Sequence, residues 1–208
     1  MSDRRMHLRR AGSLLLAAGL VIGTAGPASA ARPIDGNVIA LTVMASSDPS
    51  AAFAKLSDAQ KAAYAQAVEV ASADAVVHDP VMVQAPAGKV APLSGGCWTW
   101  TWEVDGKSLG GYVVFRYFQD MGWCSNGSTI TSITWKNRHA ETDFLGWNFS
   151  QVPTDWPTSG GVGSSSWRLY TQGTFSFCLP ACIQWRYPWL DMTAHANGTG
   201  TGSVGGAN

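Results

Sequence analysis

Three groups of residues in this chain have types and spacings that could do chemistry. The first is Arg138-His139-Ala140-Glu141-Thr142-Asp143. In an extended backbone His139, Glu141 and Asp143 share a face, with neighbours about 6–7 Å apart. That spacing would suit a metal site or an acid/base pair. No second His or Cys set with ligand spacing accompanies it, so the run reads first as a charged, solvated turn between strands. The second group is Asp191-Met192-Thr193-Ala194-His195. In a strand Asp191 and His195 lie on one side but about 13 Å apart, beyond hydrogen-bond reach. Asp191, Thr193, His195 and Asn197 therefore read as the wet side of a strand, and Leu190, Met192, Ala194 and Ala196 as its dry side. Other carboxylates (Glu103, Asp120, Asp155) are scattered, and nothing in the sequence brings two together as a glycosidase pair would require.

The third group is the ten tryptophans. Flat indole rings can stack on sugars or anchor a protein interface. They also serve as bulky core residues, and burying one contributes about 2–3 kcal/mol. Trp98, Trp100 and Trp102 alternate with Thr99, Thr101 and Glu103, the pattern of one half-buried strand, so this trio is assigned to the core. Trp147, Trp156 and Trp189 fall near turn-forming segments and are the candidate ligand-binding residues. Nucleophile and cofactor signatures are missing. There is no Gly-x-Ser-x-Gly and no His-Glu-x-x-His, and Gly161-Val162-Gly163 lacks the final glycine of a dinucleotide-binding loop. No catalytic residue, metal ligand or cofactor is assigned.

The elements that would position these residues fall into two regions. Residues 31–93 are rich in Ala and Val and hold no Trp or Cys. Asn37 to Ala45 reads as a short strand. Ser57-Asp58-Ala59-Gln60 has the form of a capping box, opening a helix over Lys61 to Ala73 with a weak stripe of Leu56, Ala63, Ala67 and Val70. His78 to Gly96 carries linker chemistry, and the region reads as a pro-segment, a spacer or a packed extension. Residues 94–197 read as β structure. CWTWTWEV is a strand ended by a turn at Asp105-Gly106. YVVFRYFQ is a central strand, and Asn126-Gly127 marks a hairpin leading into STITSITWK. FLGWNFS is a shorter strand, TDWPTSGGVGSSS a loop, and SWRLYTQGTFSFC a long strand with a bulge at Gly173. CIQWRYPWLDMTAHAN closes the domain with a bend at Pro188. Residues 198–208 read as a flexible Gly-rich tail. Six or more strands with no helix between them predict an antiparallel β-sandwich.

The first thirty residues have the form of a secretory signal. Arg4, Arg5, Arg9 and Arg10 precede the apolar run Ala11 to Gly26, and Ala28-Ser29-Ala30 is a cleavage site. These residues hold four of the 14 Lys+Arg and one of the 14 Asp+Glu, leaving ten basic and thirteen acidic side chains after cleavage. A slightly acidic chain without a basic patch is a poor partner for nucleic acid or anionic membranes. No apolar stretch after the signal is long enough to span a bilayer. In an oxidising compartment the four cysteines favour disulfides. Cys178 and Cys182 could face each other across a hairpin neck, and Cys97 and Cys124 could join neighbouring strands. A zinc knuckle would also fit the Cys178–Cys182 spacing, but Cys97 and Cys124 form no second close pair.

The segments GWCSNGSTITSI (Gly122 to Ile133), GTFSFC (Gly173 to Cys178) and YPWLDMTAHANGTGTGS (Tyr187 to Ser203) resemble a family of small secreted actinobacterial proteins of unknown function. That resemblance covers the C-terminal β region and implies export and a β-rich fold. From its residues, the chain is expected to be an extracellular binding module for polysaccharide or protein surfaces, acting through aromatic residues near loops. The alternatives are an extracellular hydrolase, or a structural protein of the cell envelope with no small ligand.

Overall fold

The computed structural model describes residues 33–83, 95–150 and 156–206, with the backbone alone for 156–158. The expected signal at 1–30 and most of the expected linker, 84–94, lie outside these residues.

Three short helices come first: α1 (Gly36–Met44), α2 (Pro49–Ala54) and α3 (Asp58–Ala67). The α1 segment was expected to be a strand. The Asp35 carboxylate decides against that by accepting from the backbone N–H of Asn37 (3.0 Å) and Val38 (3.3 Å), which caps a helix. Ala40 and Val43, three apart, then become its buried side. The capping box at Ser57 and Gln60 is present. The helix it opens stops at Ala67 instead of Ala73, because the segment from Val70 to Val77 is taken up as a strand paired into the first sheet. Its anchor is Tyr64, outside the expected alanine stripe. The Tyr64 ring is fully buried, meets Phe53 edge-on at 5.1 Å, and its hydroxyl donates to the Leu145 carbonyl at 2.9 Å.

The first sheet has the order β1-β3-β4-β5, with β2 also paired to β3. Its strands are β1 (Val70–Val77), β2 (Val81–Val83), β3 (Gly96–Ser108), β4 (Val113–Ser125) and β5 (Ile130–Thr142). All pairings are antiparallel. Two of its strands come from the N-terminal region, which is therefore built into the sheet. β3 runs straight through Asp105-Gly106, where a turn was expected. Gly106 is needed there for room, since a Cβ would lie 2.5 Å from the Phe115 ring. The real turn is at Leu109–Tyr112, with Gly111 at φ +80°. The Asn126-Gly127 hairpin forms as expected, and the Asn126 side chain accepts from the backbone N–H of Ser128 and Thr129.

The second layer contains β6 (Trp147–Ser150), β7 (Trp156–Gly160), β8 (Ser166–Gln172), β9 (Thr174–Cys178), β10 (Cys182–Arg186), β11 (Trp189–His195) and β12 (Gly200–Gly205). They form two sheets, β10-β9-β6 and β12-β11-β8-β7. The segment around Trp156, expected to be a loop, is a strand on the edge of the second of these. Gly173 is not a bulge. It separates β8 from β9, and opposite it Tyr187-Pro188 separates β10 from β11, so one long hairpin passes from sheet to sheet. The Gly173 N–H donates to the Pro188 carbonyl at 2.8 Å, which ties the two bends together.

The expected flexible tail is strand β12, and it closes the core. Asn197-Gly198 forms a second hairpin turn, with Gly198 at φ +85° and the Asn197 side chain accepting from Thr199. Gly198, Gly200 and Gly202 then sit over Trp98, Trp100 and Trp102 in turn. A Cβ at any of the three would lie 2.4–2.6 Å from ring carbons, so glycine alone admits the indoles. The trio is buried, as expected for core, and the indole N–H groups of Trp100 and Trp102 both donate to the His78 carbonyl. Polar core groups are matched across the layers. Gln119 donates to the Leu169 carbonyl at 3.0 Å and accepts from Thr171, and Ser125 donates to the Ala196 carbonyl. The disulfides are Cys97–Cys124 and Cys178–Cys182, each joining directly opposed residues of paired strands. The fold is an all-β antiparallel sandwich, as the sequence predicted.

Candidate functional site

The three expected ligand tryptophans separate. Trp147 is 3% exposed, packs between Phe115 and Phe177, and donates its indole N–H to the Val68 carbonyl at 3.0 Å. It is a core residue and offers no surface to a ligand. The burial follows from α3 and the start of β1 covering that end of the sandwich, which turn signals near Trp147 did not reveal. Trp189 is half-buried on the outer side of β11, where its ring stacks with Tyr170 at 5.9 Å and lies over Gly205. Trp156 stands opposite Tyr170 in the β7–β8 register, and its side chain lies outside the described atoms. The most exposed indoles among the described residues are Trp135 at 42% and Trp185 at 46%, neither expected as a site.

Trp135 belongs to an organised surface, the outer face of the first sheet. The register sets out its rows across β3, β4 and β5. Cys97 stands beside Cys124 and Ser132. Next comes Thr99 beside Gly122 and Trp135, then Thr101 beside Asp120 and Asn137. Glu103 stands beside Phe118 and His139, and Asp105 beside Arg116 and Glu141. Gly122 is the seat of Trp135, because a Cβ there would lie 2.1 Å from the indole ring. The glycine lets the ring lie down on the sheet instead of standing off it. Two rows away the His139 ring stacks on Phe118 at 4.3 Å and 7°. The run from Arg138 to Asp143, expected to be a turn, supplies the edge strand of this face through Thr142. His139, Glu141 and Asp143 all bear on the face, and they meet partners from other strands instead of one another.

Polar contacts knit the face together. Thr101 donates to Asp120 at 2.7 Å, and His139 Nδ1 lies 3.3 Å from the other oxygen of the buried Asp120 carboxylate. Arg116 is the hub of the far end. Its Nη1 lies 2.7 Å from Asp143 and 3.4 Å from Glu141, and its Nε lies 3.4 Å from Glu103 and 3.9 Å from Asp105. Burial opposes the Arg116 charge, but Asp143, Asp105 and Glu103 outweigh it and raise its pKa. The Glu103 carboxyl is pushed up to about 7, first by burial and then by the hydrogen bond and charge of Asp105. Asp105 is 8% exposed, and its Oδ1 is buried without a hydrogen-bond donor. Perturbed carboxyls of this kind concentrate at functional sites. No group of three or more metal-ligating side chains occurs among the described residues.

The remaining candidates are accounted for elsewhere. Asp191 is held by Arg168 through two contacts of 2.8 and 2.5 Å and does not meet His195. His195 lies 3.3 Å from Thr201 Oγ1 beside a shallow depression of about 410 Å³ that Ser128, Ser165 and Asn197 also line. Gly161 and Gly163 belong to the turn between β7 and β8, with φ of +101° and +88°. Sequence reasoning missed Trp135, Phe118, Arg116 and Thr101. The signal for the first was present, since Trp135, Asn137, His139 and Glu141 alternate through one unbroken strand. Comparison with protein-family models, curated proteins and solved structures finds no match to this chain.

Proposed function

We propose that the chain is a secreted, disulfide-stapled binding module for extracellular polysaccharide that engages its ligand through the outer face of the first sheet. The observation that carries this reading is Trp135, an exposed indole laid against Gly122 beside a row of hydrogen-bonding side chains. A sugar ring presents an apolar face of C–H groups that stacks on a flat indole, and its hydroxyls take hydrogen bonds from groups set around the ring. Thr99, Asn137 and Thr101 occupy those positions. The rigid strand backbone holds the platform before the ligand arrives, which lowers the ordering cost of binding. Export is supported by the signal-like first thirty residues, by the two disulfides and by the resemblance to small secreted actinobacterial proteins. No described helix is long and apolar enough to cross a membrane.

The test is retention of the purified protein on a panel of insoluble polysaccharides, alone and as Trp135→Ala. Retention on at least one glycan, weakened about tenfold or more by the substitution, is the expected result. No retention on any glycan, or retention indifferent to Trp135, overturns it.

A second reading, an extracellular glycoside hydrolase, draws on Glu103. Its carboxyl keeps a proton near neutral pH. Asp120 is its diagonal neighbour on the adjacent strand, a relation that places the two residues about 7–8 Å apart, with their Cβ atoms somewhat closer. Glu103 would protonate the leaving oxygen, and Asp120 would take a proton from the attacking water with inversion at the anomeric carbon. Release of reducing ends from the retained glycan, abolished by Glu103→Gln, is the result this reading requires.

A further inference from the structure

We infer that the glycan taken by this face is cationic, a polymer of amino sugars whose amines are free and protonated. The inference rests on the platform reading above and specifies its ligand. Glu103, Asp105, Glu141 and Asp143 gather on one end of the face around the guanidinium of Arg116, and Asp120 lies two rows away beside His139. A surface built to bind a neutral sugar has no need of such an excess, and the repulsion among its carboxylates costs stability. The buried Oδ1 of Asp105 has no hydrogen-bond donor, with Arg116 Nε 3.9 Å away. Asp120 accepts from the neutral Thr101 hydroxyl and faces the His139 ring.

The placement of the charges fits a chain of amino sugars better than a single cation. Asp120 lies one row from Trp135, and Glu141 lies three rows from it on the same strand. Strand rows on one face repeat about every 6.5–7 Å. A sugar stacked on Trp135 would bring its ammonium toward Asp120, and the next residues of the polymer would pass Glu103, His139 and Glu141. A lone metal ion would leave Trp135 without a role. A lysine-rich peptide would match the charge but not the flat ring, and it stands as an outcome of the test.

The experiment is calorimetric titration of the full chain with three hexamers: β-1,4-linked glucosamine, its fully N-acetylated form, and the corresponding glucose hexamer. It is carried out at a pH where the glucosamine amines are protonated, and lysine hexapeptide serves as a fourth titrant. The glucosamine hexamer should bind about tenfold or more tightly than the other two sugars, with an affinity that falls as salt rises. Glu141→Gln, at an exposed position, should reduce that preference several-fold, and Asp120→Asn should reduce it further. Trp135→Ala should weaken all three sugars. Equal affinity for acetylated and free-amine hexamers overturns the inference and leaves the platform standing. Lysine hexapeptide binding as tightly as the sugar overturns the amino-sugar assignment. Failure of every hexamer to bind overturns the inference and the platform together.

Discussion

Trp135 and Trp102 sit on strands of the same sheet, and what separates them is the residue that faces each ring. Trp102 is covered from above by Gly202, while Trp135 lies on Gly122 with its other side open. A glycine thus admits a ring in both places, once to bury it and once to present it. Glu103 carries the sharpest prediction at this scale. Its carboxyl rises from the ordinary 4.5 to about 7, so between those values the folded protein holds a proton that the unfolded chain has released. Its contribution therefore favours folding at the acidic end of that window and is lost as pH rises through it. Replacing it with Gln should shrink the fall in melting temperature between pH 5 and pH 8. An unaltered slope would show that Glu103 does not titrate there. Burial and Asp105 raise this carboxyl against the pull of Arg116, so Arg116→Met should raise it further and make Glu103 titrate at higher pH, as followed by NMR of the side-chain carboxyl.

At the scale of elements, β12 shows how a strand of glycines can be more ordered than its composition implies. Its backbone pairs with β11 from Trp189↔Gly205 to Ala194↔Gly200, and its inner side is the floor on which the tryptophan trio rests. Gly202→Ala places a methyl 2.6 Å from the Trp102 ring and 2.7 Å from the Asp191 carbonyl oxygen. The neighbouring backbone cannot yield cheaply, so this substitution should cost about 1–3 kcal/mol in urea denaturation. Gly163→Ala, with open space around it, should cost less, and only through its positive φ. Equal losses at the two positions would mean that the ring contact contributes nothing. The sequence repeats the arrangement in its own terms, with alternate tryptophans at 98–102 and alternate glycines at 198–202. That complementarity is legible only once the two segments are known to be layered. Asn197-Gly198 was a sufficient turn signal for the β11–β12 hairpin, and the glycine-rich composition after it concealed the strand.

For the whole molecule, the disulfides and the N-terminal region decide how cooperative the fold is. Cys97 and Cys124 are 27 residues apart and Cys178 and Cys182 only 4 apart. Loop-closure entropy assigns about 3.6 kcal/mol to the first and about 2 kcal/mol to the second. Replacing each pair with serine should reproduce that order in chemical denaturation. The helices and β1 are part of the same core, through Tyr64, Val68 and the Trp147 indole bonded to the Val68 carbonyl. A chain beginning at Gly95 should therefore lose near-ultraviolet circular dichroism and cooperative unfolding. A folded, cooperative fragment would show that residues 33–83 are a dispensable appendage.

The amino-acid sequence by itself determined the all-β class, both disulfide pairings, the Asn126-Gly127 turn and the burial of Trp98, Trp100 and Trp102. Each of these follows from local rules: alternation, turn chemistry, and the reach between opposed cysteines. It could not say which tryptophan reaches solvent, because exposure depends on what covers a residue from far along the chain. Trp147 is hidden by residues nearly eighty positions before it, bonding to Val68 across a separation of 79. Trp135, on the edge strand of its sheet, is left 42% exposed. The carboxylates around Arg116 of β4 come from β3, β5 and the residue just beyond it, and the pairing register brings these strands side by side. Local pattern specifies which side of a strand a residue takes. Tertiary packing decides whether that side meets protein or water.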